Sequence, residues 1–156
     1  SRFYKQREHV TNAVKVCTIM DYLGMVLTQR KHPLVHVSNA MSLGFWNTQE
    51  GCLESDVLNK FGIDCSILLE VTERIVFIGN YHDISVLVAL GDNQASFLST
   101  LGNKTDSVLV NLGTGGQVSL LIDDYVEVEE IETRPFIDGK YLLVGEVYVV
   151  VEHMLY

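Results

Sequence analysis

Basic residues are few: eleven lysines and arginines stand against twenty aspartates and glutamates, a formal net charge of −9. A chain this short of cations is a poor general ligand for nucleic acid, whose phosphates are gripped by clustered Lys and Arg. A nucleotide is not excluded, because backbone N–H groups and a metal ion can hold phosphates without cationic side chains. Cysteine is scarce too. Cys17, Cys52 and Cys65 are odd in number and have no C-x-x-C spacing, which argues against a disulfide framework and against a zinc knuckle. The five histidines lack the H-E-x-x-H spacing of a zinc protease, so no protein metal site is expected. No apolar run approaches the roughly 18 residues of a membrane span, and no basic segment followed by an apolar stretch opens the sequence. The expectation is a cytoplasmic protein with no membrane partner, in which Asn103-Lys104-Thr105 carries no weight as a glycosylation site.

What is present is apolar. Hydrophobic residues make up 47% of the 156 positions and charged residues 20%, so the chain can fold, as one ordinary domain or as pieces of two neighbours. Apolar residues at Val10, Ala13, Val14, Cys17, Met20, Leu23, Gly24 and Leu27 have the spacing of one buried helical stripe and predict a helix over 8–29. Pro33 stops it, and 34–37 reads as a short strand leading into Ser38-Asn39-Ala40, after which a polar, turn-rich stretch follows. A short helix over 54–61 closes at Gly62. Beyond it continuous apolar runs predict strands at 75–78, 86–90, 108–112, 118–122 and 141–144, several of them buried on both faces, with a helix over 94–101. Alternation over 126–129 predicts a further strand with one acidic, solvated face.

Two segments put polar and glycine residues directly after apolar strands: Gly91-Asp92-Asn93-Gln94-Ala95 and Gly113-Thr114-Gly115-Gly116. In α/β proteins ligands bind outside the carboxyl ends of strands. An Asp between a strand and a helix commonly caps the helix. The same carboxylate can accept a proton from an alcohol during phosphoryl transfer, where a base in line with the nucleophile suffices and most of the catalysis is positioning. The second segment suits a tight hairpin turn, since glycines adopt positive φ without a Cβ clash. Its successive N–H groups and the Thr114 hydroxyl also suit phosphate oxygens, and the two readings are compatible. Neither segment is a Walker sequence or a dinucleotide fingerprint.

The two segments, in this order, resemble the centre of the FGGY carbohydrate kinases, the family of glycerol, xylulose, ribulose and sedoheptulose kinases. The likeness extends upstream through Asp21-Tyr22-Leu23, Leu27-Thr28, Ser38-Asn39-Ala40 and Phe61-Gly62-Ile63. It covers most of 14–145. The Asp-x-Gly-Thr loop that opens family members and their later adenine-binding Gly-Gly element have no counterpart here.

The resemblance implies a partial α/β chain of the actin-like ATPase (ribonuclease H-like) fold. Residues 1–102 would be the later part of the N-terminal domain, on the sugar side, and 103–156 the start of the C-terminal domain, on the ATP phosphate side. It implies transfer of the γ-phosphate of ATP, with Mg²⁺, to a primary hydroxyl of a ketose or polyol, sedoheptulose or a pentulose first. Asp92 would be the catalytic base and bind substrate with Asn93, while Gly113, Thr114 and Gly115 would meet ATP phosphates. Asp21 and Asn39 are expected to satisfy buried backbone groups. The partners implied are a sugar and ATP, with a homodimer left open. The competing expectation is a non-catalytic relative that keeps the fold as a binding or scaffold module.

Overall fold

The computed structural model describes residues 15–112 and 116–147. The chain divides after Gly91 into two compact units, 1–91 and 92–156.

Of the described residues, 15–18 precede the first helix without forming a regular element. The Val16 N–H donates to the Ile67 carbonyl at 3.0 Å, and the Lys15 ammonium donates to the carbonyls of Ser66 and Leu68. Helix α1, Ile19–Leu27, starts only after Thr18, which closes a reciprocal capping box with Asp21. That cap corrects the helix expected over 8–29: residues 15–17 are not helical, and 8–14 lie outside the described residues. Of the expected stripe within this helix only Gly24 turns inward. Met20, Leu23 and Leu27 are exposed, whereas Asp21, Gly24, Met25 and Thr28, spaced i, i+3, i+4 and i+7, turn inward.

That face is small and polar because strand β5, Phe77–Tyr81, lies against it. A Cβ at Gly24 would stand 3.0 Å from Ile78 Cδ1, and one at Gly79 would stand 2.7 Å from Thr28 Cβ. Gly79 also has φ +146°, where a side chain is strained whatever the space. Gly79→Ala should therefore destabilise by about 1–3 kcal/mol through strain and overpacking together. Gly51→Ala meets open space and carries only the φ penalty, so its thermal midpoint should stay the higher of the two. Equal midpoints would remove the proposed contact with Thr28.

Strand β1, Val35–His36, pairs in parallel with β4, Val71–Thr72. The strand expected over 34–37 ends early, because Val37 is the first residue of helix α2, Val37–Ser42. His36 caps that helix through its side chain, and Ser38-Asn39-Ala40 lie within it. A small antiparallel pair follows, β2, Trp46–Asn47, with β3, Cys52–Leu53. Helix α3, Ser55–Lys60, lies where a helix over 54–61 is expected, and Gly62 follows it at φ +68°. Phe45, Leu58, Ile63 and Leu68 form one buried cluster, and Val35, Ala40 and Leu69 a second on which Trp46 packs. The three cysteines are free thiols. Burial raises the Cys17 thiol, with the Asp21 carboxylate adding to it.

Asp64 caps a 3-10 turn, Cys65–Ile67, accepting from the Ser66 N–H at 2.8 Å and the Ser66 hydroxyl at 2.7 Å. The Ser66 hydroxyl and N–H, then the Lys15 ammonium, hold its carboxyl below the ordinary carboxylate value. A depressed carboxyl stabilises the fold above its unfolded value, about pH 4, and the contribution is lost as pH falls through the lower folded value. Asp64→Ala should accordingly melt earlier than the parent at pH 7, with the gap closing on acidification below about pH 4. A gap that is constant down to pH 2 would show that the cap is not what the carboxylate supplies.

Strand β5 pairs with β6, Ile84–Leu87, as an antiparallel hairpin whose turn includes His82 at φ +52°. Both strands carry exposed apolar residues, Phe77, Ile84 and Leu87 among them, so the expected burial on both faces does not hold here. Two-sided burial belongs to parallel strands with crossover helices, and a hairpin leaves one face open.

The second unit opens with helix α4, Asp92–Leu101, two residues longer at its start than the helix expected over 94–101. Strand β7, Val108–Leu112, pairs antiparallel with β8, Gly116–Ile122. Strand β10, Tyr141–Val147, pairs with β8 on one side and on the other with β9, Glu132–Pro135, giving the order β7-β8-β10-β9. Here too β7 alternates between exposed and half-buried positions and is not covered on both faces. The strand expected over 126–129 is also not formed: it is reduced to one bridge between Val128 and Ile131, and the ladder runs instead over β9. Phe97 of α4 is 0% exposed and meets Phe136 edge to face, ring centres 5.7 Å apart. Gln94 Nε2 donates to the Pro135 carbonyl at 2.9 Å. No described helix is long and apolar enough to cross a membrane.

Candidate active site

Strand β6 ends at Leu87, and only Val88 continues a strand-like bond, its N–H donating to the Val76 carbonyl at 2.9 Å. The next backbone groups are met by side chains. The Ala89 carbonyl accepts from Asn39 Nδ2 at 3.1 Å, and the Gly91 N–H donates to Ser38 Oγ at 2.9 Å. Asn39 Nδ2 also donates to Asp21 Oδ1 at 3.0 Å. The second oxygen of Asp21 accepts from the Thr18 N–H and the Thr18 hydroxyl. Asp21, Ser38 and Asn39 are 3%, 2% and 1% exposed, so this polar network is sealed from water. A buried carboxylate is tolerable because donors surround it.

Directly after Gly91, Asp92 is the first residue of α4, and it is exposed. Its Oδ1 accepts from the Asn93 N–H at 2.8 Å. A helix cap would bond the N–H two or three residues on. The bond to the adjacent residue is a different arrangement, and it leaves Oδ2 without a protein partner among the described residues. Asn93 is half-buried beside it. Gln94 turns away to hold Pro135.

Gly113, Thr114 and Gly115 lie outside the described residues. Strands β7 and β8, on either side of them in the chain, pair in register with Leu112 opposite Gly116. Helix α4 packs against β7, the strand that ends at Leu112. Among the described residues no group of three His, Cys, Asp or Glu side chains could hold a metal ion.

Sequence reasoning singled out Asp92 and Asn93, and expected Asn39 to satisfy a buried backbone group, as it does at Ala89. It missed Ser38. The signal was an uncharged polar pair, Ser38-Asn39, between Val37 and Ala40 in a segment otherwise apolar enough to be core.

A sedoheptulokinase from Mus musculus is 32% identical over 88% of this chain. This likeness points to the FGGY carbohydrate kinase family, over part of its members' length. It spans 33% of the length of that mouse protein. No family model matches the sequence. Among solved FGGY structures, the glycerol kinase from Plasmodium falciparum with ADP superimposes with a TM-score of 0.78 at 17% identity, over 94% of this chain and 33% of that one. A xylulose kinase from Rhodospirillum rubrum gives 0.77 at 20% identity, over 94% and 32%. The fold is thus that of part of an FGGY kinase, the actin-like ATPase fold.

Proposed function

We propose that these residues belong to an ATP-dependent sugar kinase and carry its catalytic base. The observation that supports the reading most directly is Asp92. It is an exposed carboxylate with one oxygen uncommitted among the described residues, at the start of a helix and next to a network-anchored segment, in a chain 32% identical to a sedoheptulokinase.

In this mechanism a sugar hydroxyl donates to Asp92 Oδ2 while its oxygen attacks the γ-phosphorus of ATP. The proton passes to the carboxylate, the bond from phosphorus to the bridging oxygen breaks, and ADP leaves. Phosphoryl transfer has a loose transition state, so the weak basicity of a carboxylate suffices once it is in line. Oδ1, tied to the Asn93 N–H, sets the rotation of the carboxylate. The Asn93 amide binds neighbouring sugar hydroxyls. Gly113, Thr114 and Gly115 receive phosphate oxygens through backbone N–H groups and the Thr114 hydroxyl. Mg²⁺ suits this donor set, because it retains waters and binds through phosphates and one or two carboxylates, and it supplies neutralisation of phosphate charge. Asp92 is the side chain here that would face it.

The preferred acceptor is the primary hydroxyl of sedoheptulose or a pentulose. In family terms 1–102 closes the sugar-side domain and 103–156 opens the phosphate-side domain, and the compartment is the cytoplasm. The test is ADP release from a full-length polypeptide carrying these residues, with a panel of ketoses and polyols. Sugar-dependent ADP release with a ketose preferred supports the reading. Sugar binding without ADP release would favour a non-catalytic binding module.

A further inference from the structure

We propose that Ser38 is a positioning residue for Asp92, and that Asn39 anchors the other end of the same segment. The inference rests on Asp92 being the base.

Residues 89–91 lie beyond the end of β6 and pair with no strand among the described residues, yet they are the segment from which Asp92 springs. Backbone polar groups away from water must find partners, and the partners here are two adjacent side chains of α2. Asn39 holds the Ala89 carbonyl and Ser38 holds the Gly91 N–H, so Leu90 is gripped on both sides. The Gly91 N–H lies in the planar Leu90–Gly91 peptide, so the bond fixes that peptide, and only the two dihedrals of Gly91 separate it from the Asp92 backbone.

The grip is itself supported. Ser38 Oγ lies 2.9 Å from His36 Nδ1, and the Ser38 N–H donates to the same nitrogen at 3.2 Å. Since that ring nitrogen accepts from the N–H, the Ser38 hydroxyl can donate to it while its oxygen accepts from Gly91. The hydrogen bonds then run in one direction, from Gly91 N–H to Ser38 Oγ–H to His36 Nδ1. Asn39 is fixed in turn by the buried carboxylate of Asp21, which the Thr18 cap locks in place. A helix start, a buried amide and a buried hydroxyl thus converge on three backbone residues, all within the first unit.

The experiment uses the full-length polypeptide. Ser38→Ala should lower kcat by about 10²-fold, the effect of an ångström-scale misplacement, with KM for ATP unchanged. Ser38→Thr, which keeps the hydroxyl, should recover most of the loss. Ser42→Ala is the control, because the Ser42 hydroxyl donates to the Ser38 carbonyl within the same helix. It should leave kcat at the parent level. Hydrogen exchange at the Gly91 amide should quicken in Ser38→Ala and stay slow in Ser42→Ala. If Ser38→Ala does not fold, Ser38→Cys, similar in size with a weaker acceptor, is read in the same way. The proposal is overturned by parent-like kcat in the Ser38 variant, by equal losses in the Ser42 variant, or by unchanged exchange at Gly91. Asp92→Asn run beside it separates the two ideas. An inactive Asp92→Asn with an unaffected Ser38→Ala removes the positioning role alone, whereas an active Asp92→Asn removes the base and with it the thing positioned.

Discussion

Asp92→Asn should reduce sugar phosphorylation by about 10²- to 10⁴-fold, the usual contribution of a positioned general base. The substitution is nearly isosteric. Its amide oxygen can still accept from the Asn93 N–H, so the local geometry around Oδ1 survives. What is lost is the capacity to take a proton. Because Asp92 is exposed, stability should stay within about 0.5 kcal/mol of the parent, and binding of sugar and ATP should persist. The measurement is kcat against binding affinity on the same preparation. Turnover near the parent level would take the base role away from Asp92, whatever the family.

Phe97→Ala should be the most damaging change to stability in the second unit, at about 3–5 kcal/mol. The ring is fully buried and is packed edge to face on Phe136, so truncation removes both the transfer free energy and an aromatic pair, and leaves a cavity. Neighbouring Gln94 is already committed to the Pro135 carbonyl and cannot move in to fill the space. Since a domain has only about 5–15 kcal/mol in all, the loss should be visible as a large fall in the denaturation midpoint. Exposed Ser99 on the same helix is the comparison, and Ser99→Ala should stay within about 0.5 kcal/mol. A Phe97→Ala midpoint close to that of Ser99→Ala would mean that α4 is not held by this contact.

The second half was the more legible part of the sequence. Strands at 108–112, 118–122 and 141–144 and the helix before them follow from apolar runs bounded by glycine and polar turns, and the structure keeps the first as read and extends the others by a few residues. The helix after Thr18 was read with Gly24 correctly inward but with Met20, Leu23 and Leu27, which are exposed, beside it. Periodicity assigns apolar residues to the core, but α1 packs closely on β5 and needs Gly24 and Thr28 there, with Asp21 serving the Asn39 network. Val37 misled in a similar way: it is β-branched, yet the His36 side chain caps a helix that starts at Val37. At the site, the identity of Asp92 was visible from its sequence neighbours. The side chains that hold residues 89–91 were not, because Ser38 and Asn39 are about fifty positions away and only the tertiary fold brings them there.

Strand β7 ends its sheet, and its outer edge is met by no other described strand. Val108, Val110 and Leu112 stand exposed along it, Leu112 at 74%. Such an edge is a template for the backbone of another molecule. Handled by themselves, concentrated copies of these residues would tend to zip together along β7, and a lysine in place of Val110 is the natural gatekeeper against that precipitation.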